Sequence, residues 1–327
     1  NAPVDVIYTV VPVSGSNCEG EPFSVTVTVN PEPVVANQTT TVCSDEILGF
    51  TLENDPNGPD VASYNLTNIT SNELTAASGN TTQQNGLSSD AISNDSWNNI
   101  TDTALDVVYT FIPVGDNGCL GDPFTVTVTV NPEPVVANQT TTVCSDEALG
   151  YILANDIDTP NVASYNLTSI VDNGLIPASG NIVIQNGFLS DAISNDSWNN
   201  ITSAALDVIY TFVPVGDNGC LGDDFTVTVT VNPEPVVTNQ TITVCSDENL
   251  NQAFNASTSV AADTYNVTNL QTNGLSISAG NPDVANGLLA NDLEDDAFTN
   301  LTNAPVDVIY TVVPVSGSNC EGEPFSV

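Results

Sequence analysis

Internal repetition constrains this chain more than any other feature. The hexapeptide Thr-Val-Cys-Ser-Asp-Glu recurs with its cysteine at Cys43, Cys144 and Cys245, 101 residues apart each time. Asn-Pro-Glu-Pro-Val-Val begins at Asn30, Asn131 and Asn232, again 101 apart. Asp-Val-Ile/Val-Tyr-Thr begins at Asp5, Asp106, Asp207 and Asp307, and the last interval has shrunk to 100. A longer period overlies these: Asn1–Val25 is identical to Asn303–Val327, an offset of 302. A unit of three modules, itself duplicated, accounts for both periods and predicts further copies. The expected division is 1–30, the C-terminal part of a module, then modules at 31–131, 132–232 and 233–327, the last lacking the end of its final strand.

Each module reads as β-structure. Phe124, Val126, Val128 and Val130 alternate with Thr125, Thr127 and Thr129, the period of two that marks a half-buried strand. Val107, Tyr109 and Phe111 alternate in the same way with Val108, Thr110 and Ile112 before Pro113. Gly115-Asp116-Asn117-Gly118 supplies turn chemistry between the two runs. Further strands are expected at Thr39–Cys43, Ile47–Leu52, Ala62–Ile69 and around Ser96–Thr101. No segment carries a capped helical stripe. About seven short strands in roughly 100 residues predict an all-β fold of tandem immunoglobulin-like β-sandwich modules. The proline-rich Asn-Pro-Glu-Pro junction leaves almost no linker, so the modules are expected to stack end to end as a semi-rigid rod.

Composition narrows the function classes. The chain holds 40 acidic residues and no Lys, Arg or His, a formal charge of −40. Phosphate binding needs Lys and Arg, so nucleic acid is excluded as a partner, and an anionic membrane surface repels the chain. No internal salt bridge can form. No apolar run reaches the roughly 18 residues of a membrane span, so direct membrane insertion is not expected. A Ser or Cys nucleophile would lack its usual base, and no acidic pair stands apart from the rest, so the chain is expected not to be an enzyme.

The stretch Val107 to Pro132, Val-Val-Tyr-Thr-Phe-Ile-Pro-Val through Asn-Gly-Cys-Leu-Gly-Asp-Pro-Phe-Thr-Val-Thr-Val-Thr-Val-Asn-Pro, resembles the PKD-like and immunoglobulin-like repeats of giant surface proteins of Bacteroidota. Cys-Ser-Asp-Glu at Cys43 is similar to the early cysteine motif of the same repeats. The resemblance covers all modules. It implies export to the cell surface by the type 9 secretion route and a role in adhesion, gliding motility or extracellular fibres. The absence of basic residues departs from many such relatives.

The seven cysteines point to an oxidising, extracellular setting. Three pairings are open. Cys43 with Cys119, Cys144 with Cys220 and Cys245 with Cys320 would close within modules. Cys18 with Cys43, Cys119 with Cys144 and Cys220 with Cys245 would cross boundaries. A third scheme joins one module's early cysteine to the next module's late one, as in Cys43 with Cys220. The intramodule pairing is the expectation, and it fails if Cys43 ends the first strand at one pole while Cys119 sits in a turn at the other.

Calcium, which takes carboxylate, amide and carbonyl oxygens, is the candidate cation. The candidate ligands are Asp45, Glu46, Asp55, Asp60, Asp116, Asp122, Asp146 and Glu147, with Asp156 and Asp158 replacing the Asp55–Asp60 loop in the next module. Tyr109, Tyr210, Tyr310, Trp97 and Trp198 are expected in the core; their alternative role is as stacking platforms for carbohydrate. Asn-x-Ser/Thr sequons at Asn37, Asn65, Asn68, Asn80, Asn94 and Asn99 mark possible glycosylation sites. The expected partners are neighbouring modules, other copies of the filament, and an external surface or polysaccharide reached through other parts. The leading expectation is a stalk that holds adhesive parts away from the cell. The alternatives are repeated carbohydrate-binding modules and a laterally self-assembling fibre.

Overall fold

The computed structural model describes residues 2–56, 58–155, 160–280 and 283–327, and among them every regular element is a β-strand. The chain forms two compact units. Unit 1 comprises residues 1–135, 156–162 and 215–222. Unit 2 comprises 136–155, 163–214 and 223–327.

Unit 1 begins with a hairpin of β1 (Val4–Val10) and β2 (Phe23–Val29), paired from Val4 opposite Val29 to Val10 opposite Phe23. Then follow β3 (Gln38–Cys43), β4 (Val61–Ser71), β5 (Thr75–Ala76), β6 (Gln84–Leu87), β7 (Trp97–Asn98), β8 (Leu105–Gly115) and β9 (Phe124–Asn131). Five of these form one sheet in the order β3-β9-β8-β4-β6, while β5 and β7 make a small second sheet. All contacts in the main sheet are antiparallel except β3 with β9, which run parallel from Gln38 opposite Val126 to Cys43 opposite Asn131. The alternation read from the sequence holds: the side chains of Val107, Tyr109, Phe111, Phe124, Val126, Val128 and Val130 enter the core. There they meet Tyr64, Leu66, Ile92 and Trp97. Phe111 and Phe124 stack, and Tyr64 meets both edge-on, the offset geometry that aromatic quadrupoles favour.

Unit 2 repeats this plan. The first copy holds β10 (Gln139–Cys144), β11 (Val162–Val171), β12 (Ile176–Pro177), β13 (Trp198–Asn199), β14 (Leu206–Gly216) and β15 (Phe225–Asn232). Its sheet runs β10-β15-β14-β11, and β10 and β15 are again parallel, with Cys144 opposite Asn232. The next copy holds β16 (Ala262–Gln271), β17 (Ser276–Ala279), β18 (Ala285–Leu288), β19 (Ala297–Thr299), β20 (Ile309–Ser316) and β21 (Phe325–Ser326), with the order β18-β16-β20-β21. In this copy residues 240–245 form no strand; Gln240 N donates to Ser326 O and the ladder goes no further.

Two expected strands differ. Ile47–Leu52 does not join a sheet. Its backbone donors turn instead to the irregular segment opposite, Leu48 N to Asp95 O, Gly49 N to Ser93 O and Leu52 N to Ser89 O, with Gly49 at a φ of 58°. Around Ser96–Thr101 only Trp97 and Asn98 are extended, because Asn99 folds the chain back into a side-chain-capped turn.

Candidate functional site: the stapled repeat junction

The parallel pairing of β3 with β9 puts Cys43 beside Asn131, the last residue of β9, and Ser44 N donates to Asn131 O at 2.8 Å. Cys119 lies in the turn between β8 and β9, at the opposite end of the same strand. The eight residues of β9 alone separate the two ends by roughly 25 Å. A disulfide needs Cα atoms within about 7 Å. The expected pairs Cys43–Cys119, Cys144–Cys220 and Cys245–Cys320 are therefore corrected.

The bonds formed are Cys43–Cys220 in unit 1, with Cα atoms 5.6 Å apart, and Cys144–Cys320 in unit 2, at 5.5 Å. Each joins the early cysteine of one repeat to the late cysteine of the next. Cys18, Cys119 and Cys245 are free thiols.

The turn that carries the late cysteine is built to meet the preceding junction. In unit 1, Gly115 N donates to Cys119 O and Gly118 N to Gly115 O, closing a tight loop. Asn117 Oδ1 accepts from Cys119 N at 2.9 Å, and Asn117 Nδ2 donates to Pro31 O at 2.9 Å. Asn218 repeats both bonds, to Cys220 N and Pro132 O. Gly121 lies so close to the proline segment that a Cβ there would stand 2.0 Å from Pro33 O. At Gly322 the matching distance, to Pro235 O, is 1.9 Å. The Asn-Pro-Glu-Pro segment is thus gripped by one side-chain amide and pressed by one bare α-carbon.

The junction in unit 2 is acidic. Glu234, half-buried, has its carboxyl pushed up to about 7 by desolvation and then by the charges of Asp146, Glu323 and Glu147. With no cation in the chain, nothing offsets this repulsion.

The proposed calcium ligands are all exposed and scattered. Asp45 and Asp146 sit at positive φ in the turns after β3 and β10, where they accept from Asn98 Nδ2 at 2.7 Å and Asn199 Nδ2 at 2.8 Å. Glu46 and Glu147 follow them in the same turns. Asp60 and Asp116 line one shallow recess with Pro31 and Asn117. Asp55 accepts Gly58 N through its carbonyl, and Asp122 lies just after the late-cysteine turn. Asp156 and Asp158 lie outside the described residues, as does Asn57 within the Asp55–Asp60 loop. Among the described residues no three His, Cys, Asp or Glu side chains gather in an arrangement that could hold a metal ion.

The aromatic residues are core. Trp97 Nε1 donates to Tyr109 Oη at 2.7 Å, and Tyr109 Oη donates to Asp95 Oδ2 at 2.8 Å. Trp198, Tyr210 and Asp196 repeat the relay, while Phe298 leaves Tyr310 with only its bond to Asp296. These three aspartates are almost fully buried. Burial, with the charge of the adjacent aspartate next in size, pushes the Tyr109 and Tyr210 hydroxyls far above the usual phenol value. Burial also raises Asp196, opposed by donors from Ile182 N and Tyr210. The sequence signal for this relay was an aspartate at the same place in every repeat, unmarked until its neighbours were known.

The sequon asparagines Asn99 and Asn200 are likewise structural: each Nδ2 donates to a strand carbonyl, Val130 O or Val231 O, at 2.8 Å. A glycan on either would break that bond.

Among the described residues no helix is long and apolar enough to cross a membrane. No curated protein matches the chain. Among solved structures, chicken CNTN1 FN1-FN3 domains align over 87% of this chain and 96% of theirs, at 12% identity and a TM-score of 0.25. Human Protocadherin-24 EC1-2 aligns over 63% and 100%, at 14% and 0.24. The fibronectin(III)-like modules of Clostridium thermocellum CbhA align over 61% and 91%, at 12% and 0.21. The PKD-like domain model matches four times in register with the repeat, at residues 1–33, 40–134, 141–235 and 242–327. With nearly the whole length matched and every matched segment all-β, this chain belongs to the PKD-like domain family as a tandem array.

Proposed function

We infer that the chain is a shaft segment of a long extracellular surface adhesin or filament, holding adhesive parts away from the cell. The observation that carries this reading is the pair of disulfides joining consecutive repeats, since such bonds limit how far a stretched chain opens and persist in oxidising surroundings. The lack of Lys and Arg adds to it, because trypsin-like proteases find no site in the segment. Its work is mechanical and non-catalytic. Attachment to the surface of a Bacteroidota cell, through type 9 export and in the service of adhesion or gliding, follows from the resemblance of Val107–Pro132 to such repeats.

Electron microscopy of the purified oxidised chain tests the reading. A rod lengthening by one fixed step per added repeat is expected. A closed globule, or a length indifferent to repeat number, would overturn it. The carbohydrate-binding alternative loses its platforms, because Trp97, Trp198 and Tyr109 are enclosed in cores.

A further inference from the structure

The repeat at 132–232 departs from the repeat at 31–131 along one edge. Thr51, Thr82, Gln83 and Ser88 give way, 101 residues on, to Ile152, Val183, Ile184 and Leu189. All four aliphatic side chains are more than half exposed, from 54% at Ile152 to 67% at Val183. Single exposed aliphatics are ordinary on a protein surface, but a contiguous set of them marks a place of contact.

Hydrogen bonds bring the four together within unit 2. Leu167 N donates to Gln185 O at 3.0 Å and Tyr165 N to Phe188 O at 2.8 Å, which lays residues 184–189 along the outer edge of β11. Leu153 N donates to Ser190 O at 2.7 Å, so Ile152 comes beside Leu189. The backbone groups of Val183 and Ile184 have no hydrogen-bond partner among the described residues. The edge is therefore both apolar and open, the condition in which a sheet accepts a further chain.

Charge selects the occupant. With 40 acids and no Lys, Arg or His, two copies of this chain repel wherever their carboxylates face one another. This strip supplies none: no acid lies between Asp172 and Asp191, and Glu53, one residue past Leu52 in the first repeat, becomes Ala154 here. A basic partner would be drawn to the carboxylates elsewhere and gains nothing from aliphatic side chains. In the repeat that follows, Val284 and Leu289 stand where Ile184 and Leu189 do, but Asp283 directly precedes Val284. The strip at Val183–Leu189 is the one of the three that is both aliphatic and free of charge.

We propose that two copies of this chain associate side by side through this strip, the Val183–Leu189 edge of one lying against the same edge of the other about a two-fold axis. Such a contact needs only one patch, because each copy supplies the same surface. Association buries Ile152, Val183, Ile184 and Leu189 of both copies, and it gives the backbone of Val183 and Ile184 partners across the axis. The inference goes beyond the shaft reading, which needs no second chain.

The test is sedimentation equilibrium of the oxidised 327-residue chain, its free thiols alkylated, over a range of protein concentrations at about 0.15 M and about 1 M NaCl. A reversible dimer is expected, tighter at the higher salt, because screening weakens the repulsion between copies and leaves apolar burial intact. The double variant Ile184→Gln/Leu189→Ser restores the residues that Gln83 and Ser88 supply in the first repeat, where the same fold forms around them. It is expected to stay folded and to weaken the dimer by about tenfold or more. A chain that is monomeric at every concentration overturns the proposal. So does a dimer that loosens at high salt, or one that the double variant weakens less than about tenfold, since its contact then lies elsewhere. A monomer would leave the shaft reading untouched, and its repeat-by-repeat length would still be read by microscopy.

Discussion

Pull the chain by its two ends and the disulfides decide how far it travels. Cys43–Cys220 and Cys144–Cys320 interleave in sequence. The taut path through an unfolded but oxidised chain therefore runs along 43 residues to the first bridge. It then returns along the 76 residues between Cys220 and Cys144, and leaves along the 7 beyond Cys320. At about 3.5 Å per residue these roughly 126 residues reach about 440 Å, against about 1,140 Å for the reduced chain of 327. Cys43→Ser leaves one bridge and a path of about 151 residues, or about 530 Å. Single-molecule force spectroscopy with handles at both ends, before and after a phosphine reductant, reads these lengths directly. The reasoning fails if the oxidised and reduced chains extend equally, or if the oxidised limit matches bridges closed within repeats. In bulk, each bridge encloses over 170 residues, for which loop entropy gives about 5 kcal/mol lost on reduction.

Other outcomes follow from single sites. Tyr109→Phe strips the buried Asp95 of its hydroxyl donor and should cost about 1–3 kcal/mol in equilibrium denaturation, with Trp97 Nε1 orphaned as well. Glu234 has a raised carboxyl, so the folded state holds its proton more tightly than the unfolded one. Stability should therefore fall as pH rises from about 4.5 through about 7, and thermal melts of Glu234→Gln should lose that slope. Gly121→Ala drives a methyl into Pro33 O and Pro113 and should cost about 1–3 kcal/mol by calorimetry, with no change in the distant Trp97 fluorescence below the transition.

The strands were legible where one face is buried and the other wet, because that contrast writes itself as alternation in Phe124–Val130 and Val107–Ile112. Ile47–Leu52 misled for the opposite reason. It is apolar enough to be a strand, but Gly49 at positive φ and the carbonyls of Ser89, Ser93 and Asp95 draw its backbone away from any sheet. The disulfide pairing turned on one fact absent from local pattern: the first strand of a repeat runs parallel, not antiparallel, to the last. That alone carries Cys43 to the far pole from Cys119. The Asp95–Tyr109–Trp97 relay stayed hidden because a buried aspartate and a loop aspartate look alike in a chain with forty acids and no cation.

Gly121 and Gly322 bring a further consequence. Each offers a naked α-carbon to the carbonyl of a proline whose own φ is locked, so the seam is main chain against main chain. Surface residues on either side can drift without altering how the proline segment is seated against the late-cysteine turn. A single added methyl at the glycine cannot be absorbed in the same way. Where the motif recurs, so does this dependence: the fit of each proline segment rests on its least decorated residue.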